Sequence, residues 1–233
     1  MAFRFARYGD VARLLYMQSH LVRFGKSFET GLLDLFSERV FPGATVIDVG
    51  ANVGMYSMVA SRLVGPQGTV LAYEPDPLTF RILRQNLEKN GCTNVQAFPL
   101  ALSDRAGRVR LSVPDAVQAS YVYGDSYRSM TPVEDGASDS IECVPLDVHL
   151  AGLGIQRADV MKVDVEGAEL ACLKGASALL SGDGRPFMLV ECDEALCRRF
   201  GNNVFSTLSY LEQKGYVPEQ IAAHDWVAHP SHP

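Results

Sequence analysis

The sequence contains no CxxC pair and no grouping of cysteine with histidine, although five cysteines (Cys92, Cys143, Cys172, Cys192 and Cys197) are scattered along its 233 residues. Their odd number and irregular spacing argue against a disulfide framework and offer no zinc-ligand pattern, so free thiols in a reducing cytosol are expected and no metal is assigned. Basic charge is also in short supply. Lys and Arg total 21 against 27 Asp and Glu, a net charge of -6, which is a poor match to a nucleic-acid binder. No apolar run approaches the ~18 residues needed to span a membrane. The first stretch of chain carries Arg4, Arg7, Arg13 and Arg23, and Gln18, Ser19 and His20 interrupt its apolar residues. That is not the make-up of a signal peptide, and a cytoplasmic location is expected. There is no internal repeat. What remains is 47% hydrophobic and 21% charged residues, the balance of a globular chain long enough to bury a sizeable core without disulfides or a structural metal.

Along the chain, Val11, Leu14, Leu15 and Val22 share one helical face, and Leu32, Leu33 and Phe36 mark a second helix before Pro42-Gly43. Residues 1–40 are therefore expected to form a helical extension or cap. From residue 44 the pattern alternates. Short segments at 44–49, 68–74, 95–98, 159–163 and 186–191 read as strands, the second of them buried. Between them Met55, Met58, Val59 and Leu63, then Phe80, Leu83 and Leu87, then Leu170, Leu173 and Leu180 keep helical spacing. Strands alternating with helices predict right-handed βαβ units and an α/β, doubly wound, mostly parallel sheet over 41–220. Two further strands, 109–113 and 141–144, flank a segment rich in Ser, Tyr, Asp and Gly. We read 115–139 as an insertion or lid, and 221–233 as a loose tail.

In such a sheet, ligands bind beyond the carboxyl ends of the strands near the switch point. The first strand ends in Asp48-Val-Gly50-Ala51-Asn52-Val-Gly54, where glycines permit a tight turn and the helix start offers N–H groups. The second ends in Glu74, 24 positions after Gly50, placed to take two hydrogen bonds from a ribose diol. The plainer alternative is that the glycines serve packing and Glu74 caps a helix. The pattern lacks the middle glycine of GxGxxG that admits a pyrophosphate, which favours S-adenosylmethionine over a dinucleotide. The third strand leads into Pro99-Leu-Ala101-Leu102-Ser103-Asp104, where an adenine edge could be read. The fourth carries Lys162-Val-Asp164-Val-Glu166-Gly167-Ala-Glu169, dense in carboxylates for a central strand end. A structural alternative there pairs Lys162 with Asp164 and sets Glu169 on the helix dipole.

These segments, VIDVGANVGMYS (46–57), AYEPD (72–76), ALSDRAG (101–107), KVDVEGAE (162–169) and FMLVE (187–191), resemble the FkbM-type family of class I S-adenosylmethionine-dependent methyltransferases. The resemblance runs from about residue 27 to 215. It implies a seven-stranded Rossmann-like sheet with one antiparallel edge strand, and methyl transfer to a hydroxyl of a sugar, polyketide or related metabolite. By the same resemblance Asp48, Gly50, Asn52 and Gly54 would surround the methionyl part, with Ala51, Tyr56 and Ser57 from the same motif. Glu74, with Pro75, would bind the ribose hydroxyls. Ala101, Leu102 and Ser103 would line the adenine, and Asp164 would approach the methionine amino group or the methyl. A hydroxyl acceptor needs a base. Glu166 or Asp164 is the first choice, with Glu191, Asp193, His20, His149 and His224 as further candidates. Some class I O-methyltransferases hold a divalent cation, for which Asp164, Glu191 and Asp193 offer hard oxygens; the resemblance does not require one. The competing classes are a nicotinamide-dependent oxidoreductase and a nucleic-acid methyltransferase. The expected partner is a small-molecule hydroxyl acceptor. Tyr121, Tyr123 and Tyr127 suit either a lid or a homodimer interface.

Overall fold

Four of the five segments that read as strands are buried on both faces, as strands inside a parallel sheet must be, while 95–98 at the sheet edge is part-buried or exposed. In the computed structural model, which describes residues 28–112, 129–132 and 140–231, the five become β1 (Thr45–Val49), β2 (Thr69–Tyr73), β3 (Val95–Phe98), β8 (Val160–Val163) and β9 (Phe187–Glu191) of one sheet. Four of these expected strands match to within a residue or two, and β3 is as expected. Two C-terminal strands, β10 (Tyr216–Gln220) and β11 (Asp225–Pro230), complete a seven-stranded order β10-β11-β9-β8-β1-β2-β3. The chain moves outward from β1 to β3, then returns to the other side of β1 with β8. The switch point therefore lies between β1 and β8.

The alternation of side chains along each strand sends two sets of apolar residues to opposite faces. On one, Ile47, Val49, Leu71, Met161, Val163 and Met188 pack under α4 (Leu146–Leu153) and α5 (Glu169–Gly175). On the other, Val46, Val70, Val160 and Leu189 meet α1 (Phe28–Arg39) and α2 (Met55–Val64) through Leu32, Phe36, Val40, Ala60 and Val64. Leu32, Phe36 and Val40 of the expected N-terminal extension are thus part of the core. Residues 1–27 lie outside the described residues.

Local chemistry sets the helix starts. Gly54 enters α2 with φ +96°, a conformation that costs glycine little. Pro77 opens α3 (Pro77–Lys89) and Asp76 caps it by accepting from Thr79 N. Asn203 and Ser206 form a reciprocal cap on α7 (Val204–Gln213).

Two expectations change. The reversed strand is β11, one place inside the edge, while the edge strand β10 runs parallel to the rest. The tail, expected to be loose from 221, instead doubles back at a turn closed by Ile221 N and Ala222 N on Asp225 O. Its Val227 and Ala228 are buried against β9. A Pro- and His-rich ending disguised an apolar Trp226-Val227-Ala228 run that pairs on both sides. A second sheet, of order β4-β7-β5-β6, is formed by β4 (Ala101–Leu102), β5 (Gly107–Ser112), β6 (Ser129–Pro132) and β7 (Ile141–Val144). Apart from β6, the expected insertion at 115–139, with Tyr121, Tyr123 and Tyr127, lies outside the described residues. Among the described residues no helix is long and apolar enough to cross a membrane.

Candidate active site

The loops leaving β1, β2 and β8 are bound to one another by backbone hydrogen bonds. Gly50 N and Ala51 N both donate to Tyr73 O, at 3.0 and 2.9 Å, and Asp164 N donates to Val49 O at 3.1 Å. The contact is tight enough to demand glycine. Gly50 has φ +75°, and a Cβ there would lie 1.8 Å from the Asp164 carbonyl oxygen. Asn52 follows with φ +50°, a left-handed conformation that Asn tolerates better than most residues. Glu74 then clamps the arrangement. Its Oε2 accepts from Asn52 N and its Oε1 from Asp76 N, both at 2.9 Å, so one carboxylate holds the β1 loop against the start of α3.

Behind this loop lies a buried charge set. Asp48 and Lys162 are register partners on β1 and β8, hence side by side on the same face. Lys162 Nζ donates to Asp164 Oδ2 at 2.8 Å and sits 4.9 Å from the centre of the Tyr56 ring. Burial works against its positive charge, but Asp164 and Asp48 outweigh that and raise its pKa. Asp48 Oδ2 accepts from Ser57 Oγ at 2.5 Å. Burial pushes its pKa up, with Lys162 opposing. The ion pair foreseen as the structural reading of Lys162 and Asp164 is present, and Asp48 joins it.

Carboxylates also line up across the strands. Glu191 lies one position beyond the Val163–Val190 pair, beside Asp164, and Asp225 is its partner on β11. The negative charge of Asp164 is the largest influence on Glu191, followed by burial and Asp225, and together they push its pKa up to about 9. Glu166 has φ +56°, a strained backbone of the kind found at working sites. Other base candidates are engaged elsewhere. Asp193 caps α6 (Glu194–Arg199) and lies 3.1 Å from His224 Nδ1. His149 Nδ1 is 2.9 Å from the Tyr73 hydroxyl. His20 lies outside the described residues.

An open cleft runs across these strand ends. Of the residues singled out from the sequence, Gly50, Asn52, Glu74, Pro75, Ala101, Leu102, Asp164 and Glu166 line it. Asp48, Ala51 and Ser57 are buried behind it, and Gly54 packs towards Leu83. Tyr56 sets its ring edge-on to Phe36, centroids 5.1 Å apart, and Ser103 faces a separate concavity with Arg105 and Arg108. Sequence reasoning passed over Tyr73, Leu100, Val165 and Leu111, which also line the cleft. Tyr73, Leu100 and Val165 are direct neighbours of motif residues and were within reach. Leu111 arrives through the second sheet, for which no motif existed.

Against known proteins, the methyltransferase FkbM domain matches residues 48–218. The chain belongs to the FkbM methyltransferase family. It is 32% identical over 195 residues to methyltransferase 1 of Beauveria bassiana, covering 78% of this chain and 75% of that one. It is 31% identical over 157 residues to methyltransferase sdnD of Sordaria araneosa, covering 56% and 59%. It is 30% identical over 173 residues to 31-O-demethyl-FK506 methyltransferase FkbM of Streptomyces tacrolimicus, covering 61% and 66%. The chain thus spans from about three fifths to three quarters of the length of these relatives. Among solved structures, a SAM-dependent O-methyltransferase of Thermotoga maritima superposes with a TM-score of 0.50 at 13% identity, over 92% of this chain and 71% of that one. At that identity the likeness concerns the fold. FkbM membership accounts for the joint presence of DVGANVG and KVDVEGAE, the two segments that the Gly50–Asp164 contact brings together.

Proposed function

We propose that this FkbM-family chain transfers a methyl group from S-adenosylmethionine to a hydroxyl oxygen of a small molecule. The observation that carries the reading is Glu74: a carboxylate fixed at the end of β2, bonded to the loop after β1, and facing the cleft. The donor set suits an adenosine with a methionyl tail. Leu100, Leu102 and Leu111 offer an apolar wall for a flat base, while Glu74 and Asp164 supply acids for a diol and an ammonium. Gly50-Ala-Asn-Val-Gly54 has Asn52 where the middle glycine would let a pyrophosphate approach the backbone, which counts against a nicotinamide dinucleotide. The oxygen acceptor is supported by the name of the Streptomyces relative, which specifies an O-demethyl substrate, and the acidic balance of the chain disfavours nucleic acid.

The donor supplies an electrophilic methyl group on a sulfonium, so the protein has to align the partners, exclude water and take the acceptor proton. Glu74 and Asn52 fix one end of the cleft. Lys162 fixes the Asp164 carboxylate beside it through a 2.8 Å hydrogen bond. Glu191 is crowded by Asp164 and Asp225, which favour its protonated form, and Glu166, on the cleft wall with φ +56°, is the carboxylate assigned to receive the hydroxyl proton at a side-chain oxygen.

Calorimetric titration with S-adenosylmethionine, S-adenosylhomocysteine and NAD tests the reading. Micromolar binding of the first two and none of NAD is expected; binding of NAD alone would overturn it. Glu74→Ala should weaken S-adenosylhomocysteine binding by about 1.5–3 kcal/mol, since it loses both the diol acceptor and the hold on Asn52 N. An unchanged Kd would remove Glu74 from the cofactor site. Glu166→Gln should lower kcat about 100-fold, the low end for a general base, and leave donor affinity within a factor of two or so. Equal losses in both would mark Glu166 as structural.

A further inference from the structure

The cleft makes use of none of the cysteines, yet two of them converge with a glutamate just beneath it. Cys192 follows Glu191 at the end of β9, Cys197 is on α6, and Glu169 opens α5. The two sulfurs are 3.4 Å apart, and Cys197 Sγ is 3.7 Å from Glu169 Oε2. The three prospective ligand atoms all lie within 4.8 Å of one another. All three residues are buried, with 2% or less of their surface exposed.

Glu169 has a double attachment. While Oε2 faces the thiols, Oε1 accepts from Gly167 N at 2.9 Å and Val165 N at 3.3 Å, holding the loop that carries Glu166. Burial is the main influence on this carboxyl and raises its pKa to about 7. The Cys197 thiol is raised by its hydrogen bond with Cys192 and by burial. No lysine, arginine or histidine is among the main influences on either group. Thiols packed as small hydrophobic groups would account for Cys92 or Cys143. Here the two thiols share a hydrogen bond and Cys197 Sγ donates to Glu169 Oε2, which makes one buried polar cluster of the three side chains.

A cation accounts for all three. A tetrahedral zinc ion, with bonds of about 2.3 Å to sulfur and about 2.1 Å to oxygen, separates neighbouring ligand atoms by roughly 3.6–3.8 Å. The observed 3.4 and 3.7 Å fall within about 0.4 Å of that spacing. We propose that Cys192 Sγ, Cys197 Sγ and Glu169 Oε2 bind a thiophilic divalent cation, of which zinc is the representative. Two sulfur donors select zinc or cadmium over magnesium or calcium. Binding displaces the two thiol protons, so affinity rises with pH. Because Oε1 stays on Val165 and Gly167, the ion would brace the Glu166 loop from behind and touch neither donor nor acceptor. The site is independent of the methyl-transfer reading.

The test uses the full chain, reduced and stripped with a chelator. Zinc is titrated against a chromophoric competitor, and cadmium is titrated while following the ultraviolet thiolate-to-cadmium charge-transfer band. One equivalent of each is expected, with the band saturating at that point. Cys192→Ala and Cys197→Ala should lose the band and bind at least tenfold more weakly, and Cys143→Ala should match the parent. Glu169→Gln should keep the band with weakened affinity. The band on the unsubstituted protein is informative even if a variant does not fold. Its absence at saturating cadmium, its survival in both cysteine variants, or a Cys192–Cys197 disulfide in the protein as isolated would overturn the site.

Discussion

Replacing Lys162 with methionine is expected to cost about 3–5 kcal/mol of folding stability at neutral pH, the range for removing one partner from a buried ionic group. The side chain is 8% exposed and its ammonium donates to Asp164 at 2.8 Å, while Asp48, fully buried, stands beside it in register. Methionine fills the volume but leaves two carboxylates facing each other without a cation. Asp48, already raised by burial, loses the opposing charge of Lys162, and its folded-state pKa would rise further above the unfolded one. A raised carboxyl binds protons in the folded state first, so the variant gains stability as pH falls and loses it as pH climbs. Urea unfolding at pH 5 and pH 8 measures this: the gap between parent and variant should narrow at the lower pH. A gap below ~1 kcal/mol at pH 8, or one indifferent to pH, would show that Lys162 does not compensate the buried acids beside it.

Gly50→Val should be as severe, for a steric reason. The new Cβ would sit 1.8 Å from the Asp164 carbonyl oxygen, on a residue with φ +75°. That oxygen belongs to backbone anchored at Asp164 N by Val49 O, so no side-chain rotation relieves the clash. The β1 and β8 loops would have to separate, at the switch point where the cleft begins. A loss of about 4 kcal/mol or more is expected, together with loss of S-adenosylhomocysteine binding. Thermal unfolding and calorimetry check the two parts. A variant that melts with the parent and binds normally would mean the loops tolerate separation and that the close approach has no function.

Both variants act on residues visible in the sequence, but for reasons that were only partly visible there. Gly50 was legible as a turn glycine; that its neighbour is Asp164, 114 positions away, was not. Lys162 was read as a partner for Asp164, while Asp48 was placed around the cofactor. The register of β1 against β8 puts Asp48 beside Lys162 and takes it out of the cleft. Glu191 was one of several base candidates. Its place between Asp164 and Asp225 pushes its pKa up, chiefly through the charge of Asp164, and Asp225 comes from the segment expected to be loose.

The sequence by itself determined the layer architecture, the order of strand and helix, and the strand-end motifs that carry the family. Those signals are local: periodicity, turn glycines, capping residues and short motifs act over a dozen residues or fewer. The tertiary structure alone decided which strand lies inside the edge, which carboxylate is crowded by like charges, and that Glu169, Cys192 and Cys197 meet. Each of these depends on register between strands distant in the chain, and a shift of one position sends a side chain to the opposite face of the sheet. Proton affinities follow the same rule. They answer to burial and to charges a few ångströms away in space, whatever their distance in sequence.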